Sequence, residues 1–378
     1  MRNIAIVLAL IVLTSTFAFV LPSFVLSAEN GRGRFIAHGE KVKNAIAVGC
    51  SVARQVKDLT AVYCPRGIAS LLGLQEDVRV FAMDIRANAQ INADDVHTAG
   101  NTGAGRIVAV LDTGVDYTHP QLSDSIVLGR DFVDDDNNPM DLNGHGTHVA
   151  GIITANSGSA RGVAPDANVL AVRVLDASGS GYFSDVVAAV YYAVDGPDGV
   201  YGTGDDFNAD AISMSLGTGP PYTYKGFCDS VMPSMTNAIN YARSKNVLVV
   251  VAAGNSGGSG VSIPGCISSS TTVGAVDSLN KVPNWSGKGK ALDVTAPGVG
   301  IYSTWLGGGF ATASGTSMAT PVVSGIAALI RYAHSGYTDE QVQDALIKTA
   351  KDLGKTGYDT SYGYGRIDAL AAVNYVAS

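Results

Sequence analysis

Three short stretches carry side chains that could work together on a carbonyl group. "AVLDTGVDYTHP" closes an apolar run with Asp112, "NGHGTHVAG" sets His145 between glycines with His148 one turn further on, and "GTSMATP" opens a helix-like run at Ser317. A serine hydroxyl is a weak nucleophile until an imidazole takes its proton, and the imidazole serves best when a carboxylate fixes its tautomer. One of each is present. Acyl transfer also needs donors for the developing oxyanion, and losing one side-chain donor costs about 3 kcal/mol. N–H groups at the start of a helix are unpaired and carry the positive end of its dipole, so the Ser317 tip offers one donor. Asn255 in "AAGNSG" offers a second. The glycines beside His145 leave room for a substrate backbone, and Pro321 lacks an N–H that a first helical turn does not use.

These residues need elements to hold them. "RIVAVLD" (106–112), "NVLAVRVLD" (168–176), "DAISMSLG" (210–217) and "NVLVVVAAG" (246–254) are short apolar runs suited to strands buried on both faces. Helix-period stretches at 183–194 and 230–245 lie between them, and Thr338 with Gln341 forms a capping box for a further helix. Strands alternating with helices predict an α/β fold of three layers, a mostly parallel sheet flanked by helices. Ligands in such sheets bind beyond the carboxyl ends of the strands, where Asp112 and Asn255 stand.

With those motifs in view, the sequence resembles the subtilisin-like serine proteases. Asp112-Thr113-Gly114, His145-Gly146-Thr147-His148-Val149-Ala150-Gly151 and Gly315-Thr316-Ser317-Met318-Ala319 look like that family's three signature blocks in its chain order, over roughly residues 91–376. The resemblance implies endopeptidase activity with Ser317 as nucleophile, His145 as general base, Asp112 orienting it, and Asn255 with Ser317 forming the oxyanion hole. It implies that an extended peptide pairs with Ser178-Gly179-Ser180-Gly181 and Ser215-Leu216-Gly217. Ala253 and Gly254 would line the pocket before the cut, with Ser262 at its far end. No charge lies in these segments, so apolar or aromatic side chains should be preferred there. Alone, Asp112 could be half of an aspartic-protease pair, but that family needs two Asp-Thr-Gly motifs or a short homodimeric chain. A lipase would carry a Gly-x-Ser-x-Gly elbow in the order Ser, Asp, His. A non-catalytic relative would have lost a member of the constellation, and all are intact. The other histidines, His38, His97, His119, His148 and His334, are read as structural.

The chain has 378 residues and a formal charge of −8, with no basic stripe for a nucleic-acid partner. Residues 1–28 read as an export signal, with a retained membrane anchor as the lesser alternative, so the protein is expected outside the cell. Residues 29–88, with "RFIAHG", "GIASLLGL" and "VRVFAMDI", suit a small α+β domain preceding a peptidase domain at 89–378. From Glu29 to Gln90 there are nine Lys/Arg against six Asp/Glu, ahead of an acidic body. In position and size this segment resembles the family's propeptide. That implies a folding template and inhibitor cut off autocatalytically within 82–92, leaving a monomer that acts on proteins and peptides. Four cysteines permit three pairings, and Cys50–Cys64 with Cys228–Cys266 keeps each bond inside one domain.

Calcium is the expected cofactor, and no organic one is. Hard cations want carboxylate and turn oxygens. Asp134, Asp135, Asp136 and Asp141 crowd one loop, and Asp195, Asp198, Asp205 and Asp206 another. Both look like calcium loops of heat-stable family members. The family's tight site uses a carboxylate nine residues after the aspartate, where this chain has Gln121 and a short loop around 156–160, so that site is expected to be altered or missing.

Overall fold

Four continuous Val- and Ile-rich runs, each ending at a turn, join three less marked segments in a seven-stranded parallel sheet. In the computed structural model, which describes residues 32–56, 59–77, 85–156 and 158–377, the strand order is Val294–Pro297, Thr271–Val276, Leu248–Ala252, Ala211–Met214, Ile107–Asp112, Asn168–Arg173, Ile126–Asp131. Every neighbouring pair is parallel. Alternation within each strand sorts its side chains into two cores. Val108 and Val110 join Leu248 and Val250 beneath the helices His145–Thr154 and Thr316–Ala333. Ala109 and Leu111 join Val249 and Val251 on the opposite face, under the helices Phe183–Asp195 and Pro233–Ser244. Three layers result, as the run pattern implies.

Three of the seven strands carry no comparable signal. Ile126–Asp131 is a half-exposed edge strand that ends in charge, Thr271–Val276 is broken by threonines and a glycine, and Val294–Pro297 is only four residues long. The capping box at Thr338 and Gln341 forms as read.

The chain divides into two compact units, Met1–Phe81 and Ala82–Ser378, a division N-terminal of the expected 88/89 boundary. The described part of the first unit is an antiparallel sheet in the order Ser51–Val56, Leu59–Pro65, Arg32–His38, Gln75–Glu76. The helices Glu40–Ala47 and Arg66–Leu71 accompany it, giving the α+β class expected. Its core is small: Phe35, Ala45, Val62, Ala69 and the two cysteines of a Cys50–Cys64 disulfide. Cys228–Cys266 is closed in the second unit. The expected signal or anchor at 1–28 and most of "VRVFAMDI" lie outside the described residues. Among the described residues no helix is long and apolar enough to cross a membrane.

Candidate active site

The strand Ile107–Asp112 delivers its last side chain, fully buried, to the carboxyl edge of the sheet. Asp112 Oδ1 accepts from the Thr113 N–H and from His145 Nδ1, each at 2.7 Å. Among the described residues its buried Oδ2 has no hydrogen-bond partner, so a charge on the imidazole is the compensation within reach. His145 is the first residue of its helix and remains partly exposed. Burial pulls the imidazole pKa down, but the charge and hydrogen bond of Asp112, with the charge of Asp141, outweigh it, and the net shift is upward.

The glycines beside His145 were expected to leave room for a substrate backbone, but the space they leave is taken by the protein itself. A side chain at Gly144 would run into the Trp305 ring, and one at Gly146 into the Gly114 carbonyl and Asp112. They let the histidine helix close against its own protein. The other histidines are structural where their bonds are described: Nε2 of His97, His119 and His334 meets a backbone carbonyl, and so does that of His148. Desolvation takes His148 down to about 4 and keeps it neutral.

The helix Thr316–Ala333 begins at Gly315, so Pro321 sits in its second turn rather than its first. Its missing N–H frees the Ser317 carbonyl, which would otherwise accept it. The Ser215 hydroxyl takes that role, donating to Ser317 O at 2.8 Å. The Ser317 hydroxyl donates in return to Ser215 O at 3.0 Å and is not turned onto His145. Asn255 accepts from the Thr316 N–H and hydroxyl through Oδ1. That fixes the amide and leaves Nδ2 as its donor, at an exposed position.

One cleft of about 700 Å³ holds these groups together: His145, Asn255 and Ser317 line it, with Asp112 beneath. Of the groove residues expected, Ser178, Gly179, Ser180, Gly181, Ser215, Leu216, Gly217, Gly254 and Ser262 line it as well. Ala253 does not. Strand alternation turns Ala253 into the core and gives the wall to Ala252. Tyr182, Phe183, Val186 and Leu175 also line the cleft and were missed. Their apolar periodicity reads as core, which conceals a face left open. Among the described residues no Asp, Glu, Lys or Arg lines the cleft.

The first acidic loop does not fit a cation. Arg173 pairs with Asp131 at 2.5 Å and Asp134 at 2.6 Å, Arg130 pairs with Asp135, and Asp136 caps the Asn138 N–H. Both oxygens of Asp141 are taken by protein donors. Arginines supply the charge that calcium was expected to bring. In the second loop Asp195 accepts from the Tyr241 hydroxyl, Asp205 from Thr203 and the Asp198 N–H, and Asp206 from the Gly202 N–H. Among the described residues no group of three or more acidic, His or Cys side chains is arranged to hold a metal ion. At Gln121, the backbone carbonyl accepts from the Asn156 N–H.

Comparison with known proteins identifies the family. A family model described as the subtilase family matches residues 103–365. The chain is 43% identical over 275 residues to a thermophilic serine proteinase of Bacillus sp. (strain AK1), spanning 72% of this chain and 62% of that protein. It is 41% identical over 291 residues to subtilisin E of Bacillus subtilis (strain 168), spanning 75% of this chain and 70% of that one. It is 41% identical over 291 residues to a subtilisin of Bacillus pumilus, spanning 75% and 96%. The chain belongs to the subtilase family of serine endopeptidases.

Proposed function

We propose that the chain is a secreted endopeptidase, made as a precursor that processes itself, in which Ser317, His145 and Asp112 form the catalytic triad. The observation that carries this reading is the 2.7 Å bond from His145 to a buried carboxylate, in a cleft shared with Ser317 and Asn255. Rotation of the Ser317 side chain from Ser215 O toward the imidazole readies the nucleophile. Ser317 Oγ then bonds to the scissile carbonyl carbon as its proton passes to His145 Nε2. The carbonyl oxygen takes the negative charge between the Ser317 N–H and Asn255 Nδ2, while Asp112 stabilises the imidazolium. Collapse breaks the C–N bond, and the leaving amine takes the proton from His145. Water repeats the sequence and frees the acid.

The uncharged cleft, flanked by Tyr182 and Phe183, supports broad specificity with apolar or aromatic side chains preferred before the cut. Residues 32–77 act as the inhibitor and folding template. The helix Ile85–Gln90 is anchored by Asn88 to the Arg161 carbonyl at 2.9 Å and by Gln90 to the Asp277 carbonyl at 2.9 Å. A protease needs its substrate extended, so this favours a maturation cut on the N-terminal side of that helix, within the early part of 82–92. Calcium is retained only for the second acidic loop, where Asp198, Asp205 and Asp206 are exposed or half-exposed and would be the ligands, lending the loop rigidity.

The test is the Ser317→Ala chain, followed by intact mass. It should accumulate as signal-free precursor, while the parent matures and takes a fluorophosphonate on Ser317. Normal maturation of the alanine chain would remove Ser317 from self-cleavage. A parent that takes no label would favour a non-catalytic relative.

A further inference from the structure

Asp141 was expected to bind calcium, yet it is buried and fully engaged by the protein. Its Oδ1 accepts from the Thr113 hydroxyl at 2.8 Å, the Asn143 N–H at 2.8 Å and the Gly144 N–H at 2.9 Å. Its Oδ2 accepts from the Thr147 N–H at 2.9 Å and the Thr147 hydroxyl at 2.6 Å. A carboxylate has about four lone-pair sites, so these donors leave nothing for a cation.

The placement of those donors gives the group its role. A helix starts with four N–H groups that have no partner inside it, and the one beginning at His145 has only a glycine at its N-cap position. Gly144 and Thr147 donate to Asp141 directly. Gly146 donates to the Thr113 hydroxyl at 2.9 Å, and that hydroxyl is free to accept because it gives its own hydrogen to Asp141. His145 donates to Asn143 Oδ1 at 3.2 Å, and the Asn143 backbone is itself held by Asp141. All four N–H groups thus depend on one side chain. Thr113 follows Asp112 in the chain, so the same carboxylate ties the helix start to the strand end that carries the partner of His145.

We propose that Asp141 is the positioning residue for the imidazole: it holds the first turn of the His145 helix against the Asp112–Thr113 strand end, and so sets His145 on Asp112. This deepens the endopeptidase reading and rests on it. The groove walls at 178–181, 215–217 and 254 belong to other segments. Loss of Asp141 should therefore impair the chemical step more than peptide binding. A displacement near 1 Å at a catalytic group costs roughly 100-fold.

The experiment is Asp141→Asn in the full chain, matured where necessary by a tagged wild-type protease that is removed afterwards. The variant keeps the shape of the side chain but presents an amide N–H where the protein presents donors. The expected result is a kcat reduced about 10- to 100-fold with KM within about twofold, and fluorophosphonate labelling of Ser317 slowed by the same factor. A kcat within twofold of the parent would overturn the proposal, and so would a raised KM with kcat intact. Recovery of kcat on adding calcium would also overturn it, making Asp141 a metal ligand after all. If Asp141→Asn does not fold, Thr147→Val removes one donor and keeps the carboxylate. It should lower kcat several-fold with KM unmoved, and an unchanged kcat would sink the idea. A wild-type chain that cleaves nothing would instead fault the endopeptidase reading itself.

Discussion

His145 is pulled in two directions. Desolvation favours the neutral ring, while Asp112, close and buried, favours the charged one and prevails. A general base must be neutral to accept a proton, so if His145 is the base, as proposed, activity is lost as pH falls through the raised pKa. We expect the acid limb of kcat/KM to have its midpoint above the ordinary imidazole value of about 6.5. Asp112→Asn should move that limb downward and lower kcat by about 10⁴. A limb at or below the ordinary value in the parent would mean that Asp112 does not hold the ring. Stability runs the other way. A raised folded-state pKa contributes stability below the unfolded-state value, and that contribution fades as pH rises through the folded one. The working enzyme therefore operates where this pair stabilises the fold least.

At the scale of elements, the groove is assembled from segments that need bracing. Ser262 lines the cleft from the short strand Val261–Ser262, paired with Thr223–Tyr224. Cys266 just beyond it is joined to Cys228, with the Cys266 N–H donating to Ser262 O and the Cys228 N–H to Cys266 O, both at 2.9 Å. The bond spans a sequence separation of 38 residues. On the chain-entropy account, closing a loop of that length is worth about 4 kcal/mol. The double variant Cys228→Ala with Cys266→Ala should lose stability of that order in thermal unfolding. It should also raise KM for peptides, because the wall carrying Ser262 is released while the triad is left alone. A melting point unchanged by the double substitution would show that packing and strand pairing hold this segment without the disulfide.

Over the whole molecule, the two units rest on very unequal cores: two large clusters, one on each face of the sheet, in the second and one small cluster in the first. The first has six buried residues in its core cluster, and two of them are the bonded cysteines. A domain so small seldom stands without a staple. Cys50–Cys64 closes a separation of 14 residues, worth about 3 kcal/mol on the same account. In the Ser317→Ala precursor, Cys50→Ala with Cys64→Ala should make residues 32–77 sensitive to added trypsin. Undiminished resistance would show that the hydrophobic contacts suffice. Calcium belongs to this scale also. If the 195–206 loop binds it, a chelator should lower the melting temperature of the mature enzyme while leaving turnover in the cold nearly unchanged. An unmoved melting point would remove calcium from the account.

The candidate constellation was legible in the chain because it rests on residue type and local context. Asp112 closes an apolar run, His145 opens a helix and Ser317 sits near the start of another, and each of these features is written within about ten neighbouring residues. The parallel sheet and both disulfides were legible for the same reason, through periodicity and domain-wise pairing. What the tertiary structure decided depends on which partner arrives from far along the chain. Arg173 reaches Asp131 and Asp134 from another strand and supplies positive charge where a cation was expected. Ser215 crosses to the carbonyl that Pro321 leaves open, and Thr113 and Thr147 claim the oxygens of Asp141. Strand alternation turns Ala253 inward and leaves the wall to Ala252. A carboxylate reads the same in sequence whether a metal, an arginine or a helix N-terminus will satisfy it, because the choice is made by distance in space.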